Sequence, residues 1–207
     1  MGVILACAWQ PRGELSRLQR FWPLLREMYA AIVVAIRRDV DARAVAWLRE
    51  NDATVAEYDN WSGRHTVLEA ALAKPGSHIH YCDMDRLIRW VETQPDELRR
   101  SVAALQDTDC MIFGRTPAAY ATHPAALRET EHLPNAFFSH WFGHKGAGVM
   151  DLCAGSKGFS RAAAAFVLAN STDTDALRMD AEWPVLLRRA GYAWAYTEVD
   201  GLDWESA

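Results

Sequence analysis

The chain has 207 residues, half of them hydrophobic and 24% charged, with a formal net charge of −5. That apolar content excludes a disordered chain, and an acidic balance with Arg spread along the sequence excludes a basic nucleic-acid footprint. The length suits one α/β domain, residues 1–207, with a sizeable core.

Val3 to Trp9 is an apolar run ended by Gln10-Pro11-Arg12-Gly13, and reads as a buried first strand. Leu18, Phe21, Leu25 and Met28 then recur at helical spacing, with Pro23 predicting a helix start or restart near Phe21. Ala31 to Ile36 is a second buried strand, closed by Arg37-Arg38-Asp39. Asp41 can cap a helix from Ala42 to Glu50. Thr54 to Tyr58 makes a third strand, ending at Asp59-Asn60. Ser62-Gly63-Arg64 opens a helix through Leu72 that Pro75-Gly76 stops, and His78 to Cys82 is a fourth strand. This alternation predicts parallel strands with right-handed crossovers, a mostly parallel doubly wound α/β sheet flanked by helices. Ligands bind such sheets outside the carboxyl ends of the strands, where Asp39, Asp59, Asn60, Asp83 and Asp85 fall.

The second half is less regular. Pro95 starts a helix to about Leu105, and Asp109 to Phe113 is a strand. Residues 118–145 mix helix and loop, and Gly146-Ala147-Gly148 reads as flexible. Ser160 can cap an Ala-rich helix, Asp180 to Ala190 is a further helix, and Tyr192 to Thr197 is a closing strand. Three of the four cysteines (Cys7, Cys82, Cys110, Cys153) lie in apolar runs without metal-type pairing, so free thiols in a reducing cytosol are expected. Met1-Gly2-Val3 lacks a basic leader region, and no apolar run approaches ~18 residues. The expected location is cytoplasmic, with no transmembrane segment.

Asp83-Met84-Asp85 carries the chemistry. Alternate residues of a strand share a face, so two carboxylates just past a strand end can meet one ligand. Hard divalent cations take oxygen ligands and bridge phosphates, which points to a metal-bound nucleotide diphosphate. The bland alternative for such a short string is a solvated turn.

Two downstream segments add to this string: Asp151-Leu152-Cys153-Ala154-Gly155-Ser156-Lys157-Gly158-Phe159-Ser160-Arg161, and Asp180-Ala181-Glu182-Trp183 followed by Leu186 to Tyr192. With Gly63-Arg64 they resemble family 2 glycosyltransferases of the nucleotide-diphospho-sugar transferase fold, nearest to the polyprenyl- and dolichol-phosphate mannosyltransferases. The resemblance runs in order from the first strand to Tyr192. It departs at Arg37-Arg38-Asp39, where family members carry two acidic residues and only Asp39 matches. It also departs at Trp9-Gln10-Pro11, and the Gln-x-x-Arg-Trp signature of processive synthases is absent.

The resemblance implies metal-dependent, inverting transfer of a sugar from a nucleotide-diphosphate donor to an unidentified acceptor. Asp83 and Asp85 would hold Mn²⁺ or Mg²⁺, while Asp39, Arg64, Lys157 and Arg161 would contact the donor. Asp180 or Glu182 would act as general base, or would only position a phosphate acceptor. Two positions apart on a helix, these point about 160° apart and cannot both face the site. His140 and His144, at i and i+4, are candidates for a third metal ligand, or are simply loop residues. Two other readings stand beside this one. One is a degenerate relative that binds without transferring. The other is a nucleotidyltransferase of the same fold, which the lack of a Gly-rich basic loop after the first strand disfavours.

Overall fold

The structure, a computed structural model, describes residues 2–39, 42–59, 62–146, 148–172 and 176–204. Asp41, Asn60 and Ala147 lie outside the described residues. The elements run in chain order β1 (Val3–Trp9), α1 (Leu15–Met28), β2 (Ala31–Arg37), α2 (Ala42–Glu50), β3 (Thr54–Tyr58), α3 (Gly63–Leu72), β4 (His78–Cys82), α4 (Met84–Thr93), α5 (Pro95–Ala104), β5 (Cys110–Arg115), α6 (Pro117–Ala121), α7 (Ala125–Phe142), β6 (Ser156–Ser160), α8 (Arg161–Asn170), α9 (Ala176–Arg189) and β7 (Trp194–Val199). The strands form one seven-stranded sheet in the order β3-β2-β1-β4-β6-β5-β7. All pairings are parallel except those of β6, which runs antiparallel to both β4 and β5. The expected mostly parallel, helix-flanked α/β sheet is therefore present.

Both faces of the sheet are covered, which is why β1 and β2 are near-continuous apolar runs. Along β1 the residues alternate between two cores. Leu5, Cys7 and Trp9 join the layer of α1, α2, α4 and α5, and Ile4 and Ala6 join that of α3, α8 and α9. Leaving β1, the chain adds β2 and β3 on one side, then crosses to β4 on the other. The carboxyl ends of β1 and β4 thus flank a topological switch point, the place where open α/β sheets bind ligands.

The structure departs from the sequence expectations at several elements. Helix α1 runs unbroken through Pro23, which faces solvent while Leu18, Trp22 and Leu25 are buried; that burial outweighs the missing hydrogen bond. A helix unforeseen in the sequence, α4, begins directly after β4, with Met84, Leu87, Ile88 and Val91 buried at helical spacing. Asp83 is its N-cap residue and Asp85 lies in its first turn, so the pair are not alternate strand positions. Ser156–Ser160, given no element in the sequence, is strand β6, and Ser160 caps α8 as expected, its hydroxyl accepting from the Ala163 N–H at 3.2 Å. Helix α9 starts at Ala176, which puts Asp180 a full turn inside it. Among the described residues no helix is long and apolar enough to cross a membrane, and all four cysteines are free, three of them buried.

Candidate functional site

A crevice of about 360 Å³ opens at the switch point. The end of β1 brings Trp9, Gln10 and Arg12 to it, β2 and β3 bring Arg37 and Tyr58, and α3 brings Gly63 and Arg64. Asp83 and Asp85 close the β4 side. Both carboxylates of the Asp-x-Asp string therefore reach one cavity, through the bend from strand to helix rather than through strand alternation.

Asp83 is the hub. Its Oδ2 accepts from an Arg64 end nitrogen at 2.9 Å, and its Oδ1 accepts from the Tyr81 hydroxyl. The second end nitrogen of Arg64 lies 2.9 Å from Asp180 Oδ2. Asp180 Oδ1 in turn accepts from Lys157 Nζ at 2.8 Å, and Lys157 also donates to the Leu152 carbonyl at 2.9 Å. Two carboxylates and two cations thus balance in a chain that starts at the crevice and runs inward. Side-chain exposure falls from 28% at Asp83 and 13% at Arg64 to 7% at Asp180 and 2% at Lys157. Buried charges need this pairing, since an unpaired one costs several kcal/mol.

Backbone geometry fixes the hub. The Asp83 N–H donates to the Gly155 carbonyl at 2.9 Å. Gly155 has φ +75°, and a Cβ there would stand 2.6 Å from Asp83 Oδ2, so glycine is required twice over. The carboxyl pKa values diverge. Burial raises the Asp83 carboxyl from its ordinary value despite Arg64. Burial acts the same way on Asp180, but Arg64 and Lys157 outweigh it and hold that group low. Burial lifts the Tyr81 phenol well above its ordinary value, so it stays a donor.

Other candidates from the sequence lie elsewhere. Glu182 faces away from the crevice, accepting from the Thr172 N–H at 3.3 Å and its hydroxyl at 3.1 Å. It lines a separate apolar hollow with Pro134, Phe138 and Val185. Arg161 is at the opposite end of the sheet, donating to the Leu72 and Lys74 carbonyls at 2.5 and 2.7 Å and closing the end of α3. Asp39 is exposed and pairs with Arg37 at 2.6 Å. His140 is exposed at the end of α7, and His144 packs edge-on against Tyr196 with ring centroids 5.5 Å apart. Asp151, the first residue of the family-like segment, is buried and takes Arg115 through a fork of 2.5 and 2.9 Å, with Glu131 also on that guanidinium.

The sequence reading passed over Tyr81, Tyr58, Arg12 and Arg37. Tyr81 was findable, because it stands two residues before Asp83 at the end of a strand. The cavity role of Arg37 was hidden by its mismatch with the family pattern.

Among the described residues, no three His, Cys, Asp or Glu side chains gather into a metal cage. Asp83 and Asp85 suit Mg²⁺ or Mn²⁺ in a narrower sense. Such ions keep waters and bind through one or two carboxylates plus substrate phosphates. Exposed Asp85 on the cavity wall offers the carboxylate donor such an ion takes, whereas both oxygens of Asp83 are engaged by Arg64 and Tyr81.

No family model matches the chain, and no curated protein matches its sequence. Solved structures do resemble it. A mycobacterial protein aligns with TM-score 0.62 at 15% identity, over 96% of this chain and 66% of that one. The 4-diphosphocytidyl-2C-methyl-D-erythritol synthase of Anaerococcus prevotii aligns with TM-score 0.56 at 10% identity, over 99% and 92%. The glucosyl-3-phosphoglycerate synthase of M. tuberculosis gives TM-score 0.50 at 14% identity, over 78% of this chain and 58% of that one. The fold is therefore of the nucleotide-diphospho-sugar transferase type. The chain spans about two thirds of the mycobacterial protein and less of the glucosyl-3-phosphoglycerate synthase.

Proposed function

We propose that this chain is a glycosyltransferase that takes a nucleotide-diphospho-sugar in the crevice between β1 and β4. The observation that carries the reading is the meeting of Asp83, Asp85 and Arg64 at the switch point of this sheet. Half-buried Tyr58 offers an apolar wall for the nucleoside over the buried Trp9, and Arg12, Arg37 and Arg64 supply cations for the diphosphate. Asp85 would hold Mn²⁺ or Mg²⁺ against the diphosphate, joined by Asp83 once Arg64 turns from it to the diphosphate, and the ion would supply Lewis-acid neutralisation of the leaving group. In the inverting reaction implied, the acceptor oxygen bonds to the anomeric carbon as the bond to the diphosphate oxygen breaks, and the acceptor proton passes to a base.

Asp180 and Glu182 take different parts in this reading. Both oxygens of Asp180 are engaged by cations. It therefore orients Arg64 and Lys157, and becomes a base only if one of them shifts to the substrate. Glu182 faces the apolar hollow, away from the crevice, bonded to Thr172, and lies outside the reacting groups of this reading. Kinship to the polyprenyl- or dolichol-phosphate mannosyltransferases stays part of this proposal, as do metal dependence and a cytoplasmic location.

A second reading, binding without transfer, draws on the same full pairing of Asp180 and on Arg37-Arg38-Asp39. A thermal-shift screen of UDP-, GDP- and TDP-sugars with Mn²⁺ tests the first reading, because a ligand that binds only the folded state raises the melting temperature. A hit followed by sugar release or transfer supports it. Tight binding with neither favours the second reading, and no hit sinks both.

A further inference from the structure

A second cavity, of about 420 Å³, adjoins the crevice and shares Arg12, Glu14 and Asp85 with it. Its far wall is Arg86, Arg89, Asp203 and Trp204. That wall is preformed. Glu97 accepts from the backbone N–H groups of Asp200 and Gly201, both at 2.9 Å, and from Trp90 Nε1 at 2.8 Å. Leu202 is fully buried, and the Trp204 N–H donates to the Thr122 hydroxyl at 2.7 Å.

The guanidinium groups of this cavity divide into two kinds. Arg89 forks onto Asp203 at 2.8 and 2.6 Å, and Arg17 pairs with Glu92 at 2.5 Å. Among the described residues Arg12 and Arg86 form no ion pair. Arg86 lies over the Trp204 ring, 4.6 Å from its centroid. Among the described residues its guanidinium N–H groups make no hydrogen bond, which leaves donors held beside the ring for a phosphate or carboxylate. The shared wall has the opposite character, since the carboxylates of Asp85 and Glu14 repel anions and accept from hydroxyls.

We infer that this cavity is the acceptor subsite, taking a small hydroxylated molecule that bears a phosphate or carboxylate. The anion lies on Arg86, and the hydroxyl is directed toward Asp85 and the donor crevice. This rests on the reading of the crevice as a donor site. Phosphate and carboxylate are recognised by the same fork, so the experiment carries one probe of each.

The test is calorimetric titration of the full chain with inorganic phosphate and with glycolate, beside separate titrations with UDP and GDP. At least one anion is expected to bind at one site per chain and to keep binding when nucleotide is present. Arg86→Met is expected to weaken the anion about tenfold or more, as loss of a charge-assisted fork does, while nucleotide affinity stays within about twofold. Arg86→Lys, which keeps the charge without the fork, is expected to fall between the two and guards against a folding defect in the first variant. The inference is overturned if neither anion binds the wild type, if nucleotide displaces the anion from a single shared site, or if Arg86→Met binds it normally. Arg86-dependent anion binding without any nucleotide binding would sink the donor reading and the acceptor role with it, and leave only an anion site on Arg86.

Discussion

Arg64 and Asp83 share a 2.9 Å ion pair at the mouth of the crevice, and the other end nitrogen of Arg64 is committed to Asp180 at the same distance. One guanidinium therefore bridges both carboxylates, and Lys157 brings the second cation to Asp180. Arg64→Met would leave two carboxylates against one cation. Removing one partner of a buried pair costs roughly 3–5 kcal/mol, and a loss toward the lower end is expected in urea unfolding because Asp83 is partly exposed. Adding Asp83→Asn restores one carboxylate to one cation and is expected to recover most of that loss. A double variant no more stable than the single one would show that the chain of charges is not balanced this way.

Fold stability is expected to fall on the acid side through His80. This residue is fully buried between the Tyr29 hydroxyl at 2.7 Å and the Ser156 hydroxyl at 2.9 Å, and burial lowers its pKa to about 3. The unfolded chain takes up the proton near the ordinary value of about 6.5, and the fold refuses it until about pH 3. Its contribution is therefore full above the unfolded pKa and declines as pH drops through that window, by about 1.4 kcal/mol per unit. His123, lowered to about 4 by burial and by Arg115, adds slope of the same sign over a narrower range. His80→Gln is expected to flatten the acid limb of stability against pH between 3.5 and 6 by about one proton, measured by chemical denaturation at several pH values. An unchanged slope would contradict the assignment.

Gly155→Ala tests the geometry of the hub. The substitution meets a left-handed backbone and a Cβ directed at Asp83 Oδ2. A loss of about 1–3 kcal/mol is expected, with nucleotide binding weakened more than stability alone explains, because the carboxylate must move. Normal nucleotide affinity in this variant would show that the position of Asp83 does not matter to the ligand.

Asp151→Asn separates scaffold from site. Arg115 has 1% side-chain exposure and depends on the Asp151 fork. The variant is expected to lose about 3 kcal/mol while the folded protein binds nucleotide with unchanged affinity, as titration calorimetry can read. Weakened nucleotide binding at unchanged stability would reverse that assignment.

The legible part of the fold was the part with local causes. The apolar runs of β1 and β2, the breakers Gln10 to Gly13 and Pro75-Gly76, and the strand before Asp83 all announce themselves in the sequence. Strand β6 did not, because Ser-Lys-Gly-Phe-Ser has no strand-like alternation, and Lys157 is buried there only because Asp180 arrives from α9. Helix α4 is written in the spacing of Met84, Leu87, Ile88 and Val91, but the two acidic residues at its start are equally at home in a solvated turn. The crevice was half legible. Asp83, Asp85 and Arg64 were picked out and do meet, whereas Arg161 shares a sequence segment with Lys157 yet lies at the other end of the sheet. The turn of the antiparallel strand that sets them apart is a tertiary fact.

The central claim is that the Asp83–Arg64 crevice holds a nucleotide diphosphate, with Asp85 recruiting the cation. The most direct measurement is calorimetric titration of wild type and Asp85→Asn with UDP and GDP, each with and without Mn²⁺. At least one nucleotide is expected to bind the wild type more tightly with Mn²⁺, Mn²⁺ alone is expected to bind weakly, and Asp85→Asn is expected to lose most of the metal enhancement. Absence of binding by either nucleotide, or an enhancement by Mn²⁺ that survives intact in Asp85→Asn, would contradict it.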